Sequence, residues 1–117
     1  MATESNDSLQ SVSVRLDGKN YSYWSYVMRN FLKSKKMLGY VSGTYMIPKN
    51  IEEGDAVLID TWEANNAKII TWINNSIEHS IGMQLAKYET TKEVWGHLRR
   101  LFTQSNFAKQ YQLENDI

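Results

Sequence analysis

Apolar side chains recur at helical spacing along most of this sequence. Tyr21, Trp24, Val27, Met28, Phe31 and Leu32 follow an i, i+3, i+4, i+7 rhythm, which places them on one stripe of a helix predicted over about residues 21 to 37. Asn20 or Ser22 can cap its start. Arg29, Lys33 and Lys36 lie off the stripe, and Gly39 is placed to end the helix. A loop follows, carrying Gly43, the only proline (Pro48) and Gly54. A longer helix is predicted over about 56 to 78, starting from Asp55 or Asp60. Ile59, Trp62, Asn66, Ile69, Ile70, Ile73 and Ile77 mark its buried face, with Trp72 on a flank. After a break between His79 and Gly82, a short apolar helix is expected over about 81 to 87. Thr90-Thr91-Lys92-Glu93 spells a capping box, a hydroxyl with a Glu three residues later. It opens a helix over about 91 to 103 with Val94, Trp95, Leu98, Leu101 and Phe102 inward. Ser105 can cap a last helix carrying Phe107, Tyr111 and Leu113.

The N-terminal part differs. Residues 1–11 are polar and predicted to be a disordered tail. Val12 to Leu16 alternates apolar and polar positions, as an extended segment on a domain edge would, and Asp17-Gly18 is a turn signal. Together these elements predict an all-α domain over residues 12–117: a small bundle of four to five amphipathic helices with an extended N-terminal segment.

Composition narrows the function. The 117 residues amount to one domain, and the 14 aromatic residues suit a small core. There is no cysteine, which removes disulfides, thiol nucleophiles and thiolate metal sites. His79 and His97 are far apart and do not form a ligand-spaced pair. No run of apolar residues is long enough to span a bilayer, and the first residues show no secretory leader, so a cytoplasmic location is expected. There is no GxSxG, no glycine-rich phosphate loop and no HExxH. Such a chain is expected to bind or assemble rather than catalyse, with no cofactor, metal, membrane or small-molecule substrate.

Net charge is zero, but the charges are segregated. Six basic residues against one acid lie between Arg15 and Lys36, five acids and no base between Glu52 and Glu63, and five bases against two acids between Lys87 and Lys109. Blocks of opposite sign permit head-to-tail contact between copies. Glu52 and Glu53 read as a solvated acidic helix start. Lys33, Lys35 and Lys36, with Tyr40 nearby, could contact RNA by pairing cations with a stacking ring, although a solvated helix end accounts for them more simply. Arg99 and Arg100 read in the same way, and with Glu52 and Glu53 they are candidates for an assembly or partner surface. Trp24, Trp62 and Trp95 fall on inner stripes, whereas Trp72 falls off one and is the candidate for a partner surface.

The run Leu16-Asp-Gly18-Lys-Asn20-Tyr21-Ser-Tyr-Trp24, then Met28, Leu32, Val41-Ser-Gly43 and Pro48, resembles the opening of plant Copia-type retrotransposon Gag polyproteins. A second block is similar to the same family: Trp62 with Asn66, Ile69, Ile73-Asn-Asn-Ser76, Thr90-Thr-Lys92-Glu93-Val-Trp95, Leu98, Phe102 and Tyr111-Gln-Leu113. The resemblance covers about residues 8 to 117. Departures are mild, such as Thr91 where alanine is common and Lys109 where arginine is common. It implies a capsid N-terminal-lobe fold that associates with itself through weak interfaces, or a Gag-derived module that grips another protein. A Gag of this type also carries a Cys/His zinc knuckle, which this cysteine-free sequence cannot build.

Overall fold

The computed structural model describes residues 12–49 and 55–103. Within them the helices are α1 (Tyr21–Ser34), α2 (Gly39–Ser42), α3 (Asp55–Asn75), α4 (His79–Leu85) and α5 (Thr91–Thr103). The tail 1–11, the acids Glu52 and Glu53, and the expected last helix with Leu113 lie outside the described residues.

The stripe of α1 meets the stripe of α5. Trp24, Met28 and Leu32 are fully buried, as are Val94 and Leu98 across from them. The Trp24 and Trp95 rings stack with centroids 5.5 Å apart. α3 closes the core with Ile69, Trp72 and Ile73, and α4 adds Ile81 and Leu85. Each such side chain stabilises the fold by roughly 1.5–3 kcal/mol through burial alone. Trp24 also carries a polar handle, and its Nε1–H donates to the buried Ser76 Oγ at 3.1 Å.

The N-terminal extended segment is stitched to the end of α3. Leu16 pairs in parallel with Ile77 as an isolated bridge. The Leu16 N–H donates to the Ser76 carbonyl (2.8 Å), and the Glu78 N–H donates to the Leu16 carbonyl (3.0 Å). α3 stops at Asn75 rather than near residue 78: the Ser76 N–H closes the last turn on the Ile73 carbonyl (3.0 Å), and the Ser76 carbonyl and the Glu78 N–H then bond to the incoming segment instead of extending the helix. Ile77 is buried through that bridge and not as part of a helix.

The first helix also ends sooner than its glycine suggests. α1 stops at Ser34 because Lys36 adopts a left-handed φ of 60°. The Met37 N–H then reaches the Leu32 carbonyl (2.9 Å) and the Lys36 N–H the Lys33 carbonyl (3.0 Å), a Schellman closure built on lysine. Gly39 instead opens α2, where the Tyr45 ring lies against its Cα: a Cβ there would come within 2.5 Å of the ring. The stretch expected as plain loop thus holds a helical turn, ended by Gly43 at φ 87°.

Caps show one expectation met and one missed. In the capping box, Thr90 Oγ1 accepts from the Glu93 N–H (3.2 Å) and Glu93 Oε1 accepts from the Thr90 N–H (3.2 Å). Asn20 sits at the start of α1 but makes no capping bond. Its side chain braces the preceding turn, accepting from the Asp17 N–H (3.1 Å) and donating to the Arg15 carbonyl (2.8 Å).

Trp72 is a correction. It lies in the core at 2% exposure and is no partner surface. Its ring meets Phe31 of α1 edge-on at 4.8 Å, and Lys68 Nζ covers it at 5.9 Å. The stripe of α3 is wider than one row there because α1 packs on its flank.

Candidate functional site

The inner face of α5 is fixed by the core, so its outer face is displayed. Thr91, Val94, Trp95, Leu98 and Phe102 point inward. Lys92, Gly96, Arg99 and Arg100 line a groove of about 690 Å³ whose other wall comes from Val41 and Ser42 of α2 and from Tyr88. A smaller hollow of about 310 Å³ shares Trp95 and Arg99 with it and extends past Arg29 and Thr103. The two form one basic channel along α5, with the flank of the stacked Trp95 at its base.

Its position follows from bonds beneath it. Asn66 of α3, itself buried, accepts from the Thr91 N–H (2.7 Å) and hydroxyl (2.9 Å) and donates to the Glu89 carbonyl (2.7 Å). That clamp locks the first turn of α5 to α3. The Lys92 stem runs beside Gly43, where a Cβ would sit 3.0 Å from its Cδ. Glu93 also lines the groove, but its carboxylate is held by the Thr90 hydroxyl and the backbone N–H groups of Thr90 and Glu89. These bonds hold its pKa below the ordinary carboxylate value.

Two neighbouring groups register the positive field. Burial raises the Tyr21 pKa, with Arg99 and Arg29 pulling the other way. His97 bridges Tyr88 OH (3.0 Å) and Gln84 Oε1 (3.2 Å), and its pKa is lowered by burial, by Lys87 and by Arg100. Chemically, the channel offers cations and a few hydroxyls to an anionic group. Among the described residues no group of three His, Asp or Glu side chains could hold a metal.

The expected site residues divide by depth. Leu16, Trp24, Met28, Leu32, Ile69, Ile73, Trp95, Leu98 and Phe102 meet in one core. Gly18 takes φ 99° beside the Phe102 ring, on which Tyr21 stacks at 5.2 Å. Trp62 is not core. It is half-buried in an outlying cluster, donating from Nε1 to the Tyr45 carbonyl (2.7 Å) with its ring 5.7 Å from Tyr40. Tyr40 is engaged there too, its hydroxyl accepting from Asn65 Nδ2 (3.1 Å) and its ring lying against those of Tyr45 and Trp62. Of that run, Lys35 folds over the Phe31 ring at 5.5 Å, while Lys33 and Lys36 are exposed. Arg99 and Arg100 are exposed and lie together on the channel. Lys92 and Gly96 escaped the sequence reading. A glycine inside an otherwise periodic helix, with basic residues four before it and three and four after it, was the available signal.

Two family models match, each describing the Gag polypeptide of Copia-type LTR elements, one over residues 3–49 and one over residues 28–116. The chain belongs to the Copia-type Gag polypeptides. No curated protein and no solved structure matches it. The Gag motifs quoted from the sequence are mainly core-forming: the first block supplies α1 and its approach, and the second supplies α3 and α5. No helix of the described residues is long and apolar enough to cross a membrane.

Proposed function

We propose that this Gag domain is a shell-forming structural lobe that associates with itself through weak, repeated, salt-sensitive contacts in the cytoplasm. Gag membership is the ground for a structural role. The observation that carries self-association is the separation of charge on rigid elements. Exposed Asp60 and Glu63 stand on α3, while Lys92, Arg99 and Arg100 stand on α5. Opposite patches on one molecule give a heterologous contact, which repeats into rings or open arrays.

Sedimentation velocity over a range of concentration and salt, with electron microscopy of any fast fraction, tests this. Concentration-dependent species at low salt and rings, tubes or shells in the micrographs are expected. A monomer under every condition contradicts it. Docking of a different protein is the second reading, favoured by the exposed Tyr45, Met46, Ile47, Val57 and Leu58. A monomer that binds a heterologous protein at those residues would support it.

A further inference from the structure

Gly96 has no explanation inside the fold. It lies in the middle of α5, where glycine costs about 1 kcal/mol relative to alanine. A Cβ at this position would meet only the Arg100 guanidinium tip, at 3.3 Å, so no core neighbour demands the missing side chain. Its φ is not positive, so no backbone conformation demands it either. What the glycine does is open the floor of the α5 channel between Lys92, Arg99 and Arg100. A position bare of side chain, with Lys92, Arg99 and Arg100 around it and the one carboxylate, Glu93, held by Thr90 and the backbone, suits close approach of an acidic element.

One exposed face of the same molecule has those properties. Asp60, Glu63, Ala64 and Ala67 are all exposed on successive turns of α3, two carboxylates next to two small residues. Lys68, on the following turn, holds its Nζ 5.9 Å from the Trp72 ring centroid, at the flank of that face. Alanines let a helix approach another closely, and carboxylates three residues apart can face cations on the partner helix.

We propose that the α5 channel receives the acidic, alanine-bearing face of α3 from a second copy of the chain, with Gly96 opposite Ala64 and Ala67 and with Arg99 and Arg100 opposite Asp60 and Glu63. This rests on the self-association proposed above and names its interface. The contact is head to tail, since each copy keeps a free channel and a free acidic face.

Charge exchange tests it. Arg99→Glu/Arg100→Glu and Asp60→Lys/Glu63→Lys should each weaken self-association by about tenfold or more, because like charges then face each other. Mixing the two should restore association to near the wild-type value. Gly96→Leu, which fills the floor but touches no core residue, should weaken it with all charges in place. Far-UV circular dichroism and thermal melts check that each variant folds. The absence of native cysteine allows an independent readout: under mild oxidation, Gly96→Cys mixed with Ala64→Cys should form a disulfide-linked dimer faster than either mixed with Ser80→Cys. Wild-type association with unchanged strength in both charge variants would overturn this interface and leave the shell-forming role standing. Unchanged association together with loss of polyuridylate binding in Arg99→Glu/Arg100→Glu would overturn it in favour of a nucleic-acid channel. A wild type that stays monomeric at every concentration and salt and forms no selective disulfide would remove both proposals.

Discussion

α3 is one continuous helix with two fates. Its C-terminal half buries Asn66, Ile69, Trp72 and Ile73. Its N-terminal half displays Val57 at 68% and Leu58 at 56% exposure, beside Asp60 and Glu63. The backbone is the same, so the difference comes from what lies alongside. α1 packs against one half, through Phe31 on Trp72, while among the described residues the other half meets Tyr40 and the Tyr45 carbonyl at Trp62. A domain that self-associates as proposed above can divide shape-keeping and contact along a single helix.

The largest test of this division is cavity formation. Trp72→Ala should cost about 3–5 kcal/mol in urea denaturation, because a fully packed ring is lost. Were Trp72 a surface residue, the loss would be a few tenths. Next is the clamp between α3 and α5. Asn66→Ala should cost about 1–3 kcal/mol, since the Thr91 N–H and the Glu89 carbonyl lose their buried partner. Hydrogen exchange should show the loss first in the opening turn of α5.

A smaller effect concerns pH. The folded-state value of His97 lies below its ordinary 6.5, so the unfolded chain binds the proton more readily. Stability is therefore complete above about 6.5 and declines as pH falls through the folded value. Chemical denaturation across that window should show the decline in the wild type and a flatter profile in His97→Gln. Smallest of all, Val57→Ala in the displayed half of α3 should change stability by no more than about 0.5 kcal/mol.

Much of this division is written in the sequence, but not evenly. The Thr90–Glu93 capping box is local, involving residues three apart, and it placed the start of α5 correctly. The stripe of α1 is likewise local, and it named Trp24, Met28 and Leu32 as core. What escaped depends on distant neighbours. Trp72 reads as a flank until Phe31 is known to pack on it. Trp62 reads as core because its spacing matches Ile69 and Ile73, yet it sits half-buried against the Tyr40 ring and the Tyr45 carbonyl. The end of α3 is set by Leu16, sixty residues earlier in the chain. The end of α1 is set by Lys36 in a conformation usually left to glycine, which no spacing rule anticipates. The channel was half legible: Arg99 and Arg100 stood out by charge, while Lys92 and Gly96 became meaningful only once α2 was seen to wall them in.

The most direct test of the whole account is hydrogen exchange on the wild-type chain at low and at high concentration in low salt. The account predicts added protection at high concentration over residues 56–67 of α3 and 92–103 of α5, with residues 69–75 already protected and unchanged. Protection that rises instead around Lys33 and Lys36, or nowhere at all, would contradict it.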